Sequence, residues 1–381
     1  MARKLSRREL GLTALAAQAL SAADSSYSGA LDHFESKVDL PTFDPVLWTR
    51  ERWKKAPLKL TFRSASGKDT VAWQKKLRPK IMELVGEFPQ RTPLKPITLE
   101  VRDFPKYRRE KVVFETRPGS SILAYLLIPK SASGKVAPVI SIPGHGRGVE
   151  DIVGVDDKGK DRTTKVGYQY DYAVQIAEQG MAAVAIEPMG FGCRRDVRAK
   201  SKGLGTSSCQ PVAGAALLFG ETMVGWRVWD VMRTIDWIET RPELDASRVG
   251  CMGISGGGTI TLFSSALDTR IKAAFVSGYL NTFRDSILSL SHCIDNYVPG
   301  ILNWAEMYDV AGLIAPRPFF AESGSKDSIF PVEAAKESFA NVQKVYRTLN
   351  AEAVTGHEIF EGEHVFHGVQ GLPFLKKHLT A

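Results

Sequence analysis

The chain has 381 residues, of which 44% are hydrophobic and 24% are charged, a balance that excludes an intrinsically disordered protein. No apolar run reaches the roughly 20 residues that span a bilayer, which excludes a multi-span membrane protein. Four cysteines without a Cys-x-x-Cys pair exclude a disulfide scaffold and a zinc ribbon. Residues 1–23 contribute +3 of the net charge of +8, and the remaining basic residues are scattered, which argues against a nucleic-acid-binding face.

Residues 1–23 resemble a twin-arginine export signal. Arg7 and Arg8 precede a Leu- and Ala-rich stretch, and small residues at 21–23 offer a cleavage site. An ordinary N-terminal helix and a general secretory signal are the alternatives. The sequence therefore predicts a periplasmic or extracellular protein without stable membrane insertion after signal removal. In that compartment Cys193 and Cys209 could pair, or they could stay as free thiols.

Residues 24–96 are predicted to form a mostly helical N-terminal extension. Residues 73–88 carry apolar side chains near helical spacing, interrupted by Pro79. From residue 97 the pattern changes to alternating apolar and polar residues, which indicates strands. The chain therefore divides into the signal at 1–23, the extension at 24–96 and a catalytic domain at 97–381.

The catalytic domain alternates short apolar strands with amphipathic helices. Continuous apolar runs are typical of a parallel sheet with helices on both faces, so the predicted class is α/β with a mostly parallel central sheet. Polar segments interrupt the alternation after several strands, where such sheets build their sites. The predicted strands lie at 97–101, 111–116, 121–128, 138–142, 181–186, 248–254, 271–276 and 318–322, and the interruptions at 149–168, 191–223 and 279–313.

The strongest chemical signal is the sequence GISGG at 253–257, which matches Gly-x-Ser-x-Gly between a predicted strand and a predicted helix. Small flanking residues let the chain turn sharply and hold the Ser255 hydroxyl above the sheet edge. A serine hydroxyl is a weak nucleophile, so it needs a histidine base, and the base needs an acid that sets its tautomer.

The acid and the base are expected after later strands. Asp327 follows the strand at 318–322, and Glu322 on that strand is the competing acid. Of the C-terminal histidines, His364 is predicted to lie in a loop between a strand at 359–364 and a helix opening at 365–368. His367, one turn later, is expected to support the base. The order Ser255, Asp327, His364 is the order expected of this triad.

An oxyanion needs preorganised N–H donors. One is predicted to be the Gly256 N–H, directly after the nucleophile. The other is expected from the glycine-rich loop after the strand at 138–142, where Arg147 is preferred and Gly146 is the near alternative. His145 in the same loop is interpreted as structural, because it lies too early in the chain to be the base.

With these residues in place, the sequence from about 97 to 380 resembles the α/β-hydrolase superfamily. The segments 234–245 and 248–255 are similar to the dienelactone-hydrolase and acetyl-xylan-esterase-like branch. The resemblance implies an α/β-hydrolase fold and hydrolysis of small-molecule or carbohydrate esters, with no cofactor. The nucleophile is serine rather than the cysteine of true dienelactone hydrolases, which departs from that family.

Several other interpretations fit parts of the pattern. An exported oligopeptidase-type serine peptidase and a non-catalytic binding protein on the same scaffold are the alternative functions. A metal site at His364-x-x-His367 with Glu361 and Glu363 lacks a His-Glu-x-x-His motif, so the sequence predicts no metal. Trp226, Trp229 and Trp237 are interpreted as core residues, and Trp304 is the better candidate for stacking on a sugar.

Overall fold

The computed structural model describes residues 29–380. The chain divides into two compact units, one ending at Arg52 and the other beginning at Trp53. The predicted export signal at 1–23 lies outside the described residues. In the described part of the chain, no helix is long and apolar enough to cross a membrane.

The elements are numbered here in chain order. The α-helices are α1 (Pro45–Lys54), α2 (Gly67–Val85), α3 (Tyr172–Glu178), α4 (Val197–Ser201), α5 (Cys209–Leu218), α6 (Met223–Ile238), α7 (Gly256–Leu267), α8 (Met307–Gly312), α9 (Val332–Thr348) and α10 (Gly371–Thr380). The strands are β1 (Ile97–Asp103), β2 (Tyr107–Arg117), β3 (Ser120–Pro129), β4 (Pro138–Ile142), β5 (Ala182–Ile186), β6 (Val249–Ile254), β7 (Ile271–Ser277), β8 (Phe319–Gly324) and β9 (Thr355–Phe360). Short 3₁₀ turns lie at Glu35–Lys37, Leu40–Phe43, Val149–Asp151, Gly192–Arg194, Ala246–Arg248, Ile294–Asn296, Ile301–Asn303 and Glu352–Val354, and a π turn at Phe283–Ile287.

The strands form one nine-stranded sheet in the order β1-β2-β3-β5-β4-β6-β7-β8-β9. The first three strands and the β3–β5 pair are antiparallel, and every pair from β5 onward is parallel. The prediction of a mostly parallel α/β sheet is confirmed. Because parallel strands end at the same edge, the loops after β4, β5, β6, β7, β8 and β9 meet at their carboxyl ends.

Successive residues of the central strands pack into cores on opposite faces of the sheet. Val139 on β4 lies in a core with side chains of α3 and α10, whereas its neighbour Ile140 packs with residues of α6. All five residues of β4 are buried. The double burial explains why the central strands read as continuous apolar runs, since neither face of these strands meets water.

Two of the three tryptophans of α6, Trp229 and Trp237, are core residues as predicted, whereas Trp226 is only partly buried and lies outside the core. Trp237 is 1% exposed and stacks on Phe114 with ring centroids 5.3 Å apart, and Trp229 is buried in the core that also holds α2. Trp304, the predicted sugar-stacking residue, has its ring faced by the ammonium groups of Lys59 and Lys80 at 4.9 and 4.4 Å.

Two local predictions differ from the structure. Helix α2 continues through Pro79, because a missing N–H removes only one hydrogen bond while the apolar stripe of the helix stays buried. Strand β9 lies at Thr355–Phe360 rather than at 359–364, and the next helix begins at Gly371. His364 therefore lies well inside a ten-residue loop between them.

Candidate active site

Ser255 lies at a sharp turn between β6 and α7. Its backbone has φ of +56° and ψ of −122°, a conformation that costs a residue with a Cβ of order 1–3 kcal/mol. The turn requires glycine on both sides. A Cβ on Gly257 would lie 1.9 Å from the Ile142 carbonyl oxygen, and a Cβ on Gly253 would lie 2.5 Å from the Gly257 carbonyl oxygen. The motif therefore holds its serine in strained backbone at the edge of the sheet.

Asp327 and His364 form a direct pair. His364 Nδ1 lies 2.7 Å from Asp327 Oδ2, and Asp327 Oδ1 accepts hydrogen bonds from the backbone N–H groups of Ile329 and Phe330 at 2.8 and 2.9 Å. The imidazole lies between the rings of Tyr168 and Phe330, at 5.8 and 5.5 Å. Its Nε2 is buried and has no hydrogen-bond partner among the described residues. The ring is thus fixed at one nitrogen and free at the other.

Glu322, the competing acid, binds a hydroxyl and two backbone N–H groups rather than an imidazole. Its carboxylate is fully buried and accepts hydrogen bonds from Ser277 Oγ, the His367 N–H and the Gly368 N–H at 2.7, 3.0 and 2.8 Å. Burial raises the pKa of Glu322 to about 7, even though these donors lower it. Glu322 therefore anchors the loop that carries His364.

His367 faces another carboxylate. Its Nδ1 lies 3.1 Å from Glu358 Oε1, and its ring stacks on Phe360 at 4.5 Å. Glu361 pairs with Lys326 at 2.9 Å. His364 and His367 therefore have separate carboxylate partners, and Glu361 pairs with a lysine. The two histidines do not share a carboxylate, as the alternative metal site at these residues would require.

The loop at 143–148 runs beside Ser255. A Cβ on Gly144 would lie 3.1 Å from Ser255 Cβ. The Arg147 N–H, which was predicted to be the second oxyanion donor, instead donates to Asp151 Oδ2 at 2.8 Å. That amide is already paired, because Asp151 lies four residues later and also binds the Arg147 side chain.

The other backbone N–H groups of this loop differ in whether they have a hydrogen-bond acceptor. The Gly144 N–H donates to Gln169 Oε1 at 2.8 Å, whereas the His145 N–H and the Gly146 N–H have no hydrogen-bond acceptor within residues 29–380. The His145 carbonyl oxygen is fixed by the Tyr168 hydroxyl at 2.7 Å. The imidazole of His145 lies against the first residue of α7, since a Cβ on Gly256 would be 3.1 Å from its Cε1.

The His145 side chain also joins a buried polar cluster that no sequence pattern predicted. Its Nε2 lies 3.3 Å from Asp295 Oδ2, which accepts a hydrogen bond from Arg227 at 2.5 Å. Burial lowers the pKa of His145, but its bonds to Asp295 and Cys209 outweigh burial and raise it to about 9. Burial raises the pKa of Asp295, but Arg227 and His145 hold it well below its usual range.

The cysteines considered for a disulfide are free. Cys193 is exposed and Cys209 is buried beside His145. The nearest thiol partner of Cys209 is Cys293, which belongs to the insertion after β7. Only the folded structure could reveal this neighbour, because 84 residues of chain separate the two cysteines.

Comparison with known protein families agrees with the α/β fold described above. The Abhydrolase family model matches residues 51–349, so the chain belongs to the Abhydrolase family. A curated relative, "Putative hydrolase YtaP" of Bacillus subtilis (strain 168), is 25% identical over 318 residues, which cover 79% of this chain and 98% of that protein. The resemblance to the α/β-hydrolase superfamily is confirmed.

Two solved structures illustrate the likeness of the fold. A "putative acetyl xylan esterase" from Bacteroides fragilis NCTC 9343 superposes with a TM-score of 0.71 at 21% identity, covering 83% of this chain and 82% of its own. A glucuronoyl esterase from Solibacter usitatus has a TM-score of 0.62 at 17% identity, with 84% and 97% covered. At these identities the likeness establishes the α/β-hydrolase fold.

The anchoring role of Glu322 gives a prediction. Glu322→Gln keeps the side-chain shape but replaces one acceptor oxygen by an amide donor, so either the His367 N–H or the Gly368 N–H loses its acceptor. An unsatisfied buried donor costs about 1–3 kcal/mol. At pH 8, above the raised pKa of the wild-type carboxyl, hydrogen exchange of these two amides should be faster in the variant than in wild type.

The matched control is Glu363→Gln in the same loop, because Glu363 is exposed. In the Glu363→Gln variant, the His367 and Gly368 amides should exchange at the wild-type rate. Equal protection of the His367 and Gly368 amides in the Glu322→Gln variant would show that the loop is held by other contacts.

Proposed function

We propose that this protein is a serine esterase that cleaves carboxylic esters of carbohydrates through an acyl-enzyme intermediate. The observation that carries the proposal is the backbone of Ser255, held at φ of +56°, together with the His364 imidazole, which is fixed at Nδ1 by Asp327 and free at Nε2. A Cβ on Gly278 would lie 3.1 Å from His364 Cε1 and 3.7 Å from Ile254 Cγ1, so the imidazole reaches the residue that precedes Ser255. That combination supplies a nucleophile, a base and an orienting acid, the three roles that acyl transfer requires.

In the proposed first step, Ser255 Oγ attacks the ester carbonyl carbon while His364 Nε2 takes its proton. Asp327 keeps the proton on Nδ1, so that Nε2 is the basic nitrogen, and stabilises the imidazolium that forms. His364 then gives its proton to the departing alcohol oxygen. In the second step water attacks the acyl-enzyme, and the same histidine accepts and returns the proton.

The negative charge of the tetrahedral intermediate needs two donors. The Gly256 N–H opens α7, where the first N–H groups of a helix have no partner within the helix. For the second donor we propose the His145 N–H in place of Arg147. The His145 N–H follows Gly144, which lies against Ser255, and it has no hydrogen-bond acceptor in the described part of the chain. The Gly146 N–H, the alternative from the sequence, is equally unpaired there and is the second candidate.

Carbohydrate esters are proposed as the substrate class because structural neighbours with TM-scores above 0.5 are named as acetyl xylan and glucuronoyl esterases. We propose acetyl groups on xylan-type sugars as the first substrate to test. Activity should be compared on p-nitrophenyl acetate, acetylated xylo-oligosaccharides, a methyl glucuronate ester and an aminoacyl p-nitroanilide. Turnover of the anilide alone would favour the peptidase alternative.

Ser255→Ala should abolish this esterase activity, because the hydroxyl forms the covalent intermediate. Losses of triad members reduce kcat by about 10⁴–10⁶-fold. The measurement is kcat on p-nitrophenyl acetate, together with labelling by a fluorophosphonate probe. Ser133→Ala, at an exposed loop serine, is the matched control and should react normally. A Ser255→Ala protein that keeps more than a few per cent of activity would contradict the assignment.

The two neighbouring histidines should respond very differently. His364→Ala should be as damaging as Ser255→Ala, and the double variant should be no worse than either alone, because the triad acts as a unit. His367→Ala removes the contact to Glu358 and the stacking on Phe360, but it keeps the backbone N–H bonded to Glu322. It should lower kcat by less than about tenfold. If His367→Ala were the more severe change, His364 could not be the base.

We also propose that the protein is exported through the twin-arginine pathway. Replacing Arg7 and Arg8 together by lysine keeps the charge but changes a planar hydrogen-bonding fork into a point charge. Export should then fail, and the unprocessed chain should accumulate inside the cell, as measured by fractionation. A general secretory signal requires only positive charge before its apolar stretch. Normal export of the double-lysine variant would therefore identify the general secretory pathway instead.

A further inference from the structure

Four potential metal-ligating side chains converge behind the loop at 143–148. They are His145 from that loop, Cys209 at the start of α5, and Cys293 and Asp295 from the insertion after β7. One ligand atom from each lies within 4.8 Å of the others. Cys209 and Asp295 are buried, whereas His145 and Cys293 are partly exposed, so the cluster is shielded but can be reached from solvent.

The distances inside the cluster fit a tetrahedral ion. The Cys209 Sγ lies 3.8 Å from His145 Nε2 and 3.3 Å from Asp295 Oδ2, and these last two atoms lie 3.3 Å apart. Zinc bonds of about 2.0–2.1 Å to nitrogen, 2.0–2.2 Å to oxygen and 2.3 Å to sulfur place tetrahedral ligand atoms about 3.3–3.8 Å apart. Three edges of the tetrahedron are therefore already close to their bound length.

We propose that His145, Cys209, Cys293 and Asp295 form a structural site for a zinc ion. Two thiolates, an imidazole and a carboxylate are a ligand set that suits zinc, because thiolates disfavour magnesium and calcium. Four protein ligands complete a tetrahedron and leave no open position, which is the arrangement of structural rather than catalytic zinc. The site is distinct from the triad at Ser255, Asp327 and His364.

Arg227 supplies the charge balance that a buried site of this kind needs. Its guanidinium is 2% exposed, donates to Asp295 Oδ2 and lies 3.6 Å from Cys209 Sγ. Two thiolates and one carboxylate carry three negative charges, which one divalent ion and one guanidinium neutralise. A carboxylate oxygen has two lone pairs, so Asp295 Oδ2 can keep its bond to Arg227 while it binds the ion.

A bound ion would tie together loops that follow three different strands, β4, β5 and β7. Ligand residues in these loops are separated by 64 and by 84 residues of chain, so each ligand restrains a different segment. Through the imidazole of His145 the ion would also fix the backbone beside Ser255. This effect on the oxyanion donor rests on the proposed function, whereas metal binding itself does not.

The test uses the full mature chain, reduced with a phosphine under exclusion of oxygen and given zinc before gel filtration. Elemental analysis should find about one zinc per chain. Cobalt given in its place should produce the thiolate charge-transfer band and the intense visible bands of tetrahedral cobalt. Bound zinc should slow alkylation of the partly exposed Cys293 relative to the zinc-free chain, as read by peptide mapping, and should leave the exposed Cys193 as reactive as before.

Cys293→Ser removes one ligand with little change of size and should weaken zinc affinity by more than the ~10–100-fold typical of outer-shell changes. Cys193→Ser makes the same replacement outside the cluster and should bind like wild type. Zinc lost from the wild type during gel filtration, or retained equally by Cys293→Ser, would overturn the site and leave an adventitious ion only. The alkylation pattern of the wild type decides the matter even if Cys293→Ser does not fold. Neither readout requires esterase activity, so the site and the proposed function can fail separately.

Discussion

The junction between β6 and α7 fixes the position of Ser255, and the other parts of the site are arranged around it. A residue with a Cβ takes φ of +56° only when its surroundings leave no alternative. Here the surroundings are the Ile142 carbonyl, which approaches Gly257 too closely for any side chain, and the Ser277 carbonyl, which accepts the Ser255 N–H at 3.0 Å. Strands on both sides of β6 therefore hold the turn in place.

Buried carboxylates then hold the loops around that turn. Glu187, directly after β5, accepts the N–H groups of Val149 and Cys193, while Glu322 on β8 accepts those of His367 and Gly368. Burial raises the pKa of both glutamates to about 7. Loops without regular structure are thus anchored by side chains at the strand ends, and such anchoring is what the proposed oxyanion hole would need, because its donors must be held in place before the reaction.

Much of this arrangement could be predicted from the sequence, because its signals are local. The doubly buried strands appear as apolar runs, and the turn at Ser255 requires glycines at fixed spacing. Strand β9 was misplaced because Ile359 reads as a core residue although it is 42% exposed, while the polar Glu358 is buried at an edge of the sheet. Edge strands give weak patterns, since only one side of the strand is paired.

The remaining features depend on contacts that no local pattern encodes. The Arg147 amide is engaged by a carboxylate four residues later, which requires the exact course of the loop. The cluster of His145, Cys209, Cys293 and Asp295 brings together segments from three parts of the chain. The sequence left Cys209 either paired with Cys193 or free, and it could not show that Cys293 lies beside Cys209 in the fold.

A crystal structure of the protein inactivated by a phosphonate ester would show whether Ser255 is the nucleophile, because the adduct mimics the tetrahedral intermediate. We expect phosphorus bonded to Ser255 Oγ, with the phosphoryl oxygen accepting hydrogen bonds from the Gly256 and His145 N–H groups and His364 Nε2 beside Ser255 Oγ. Phosphorus on another residue, or a phosphoryl oxygen turned away from both amides, would contradict the proposed mechanism.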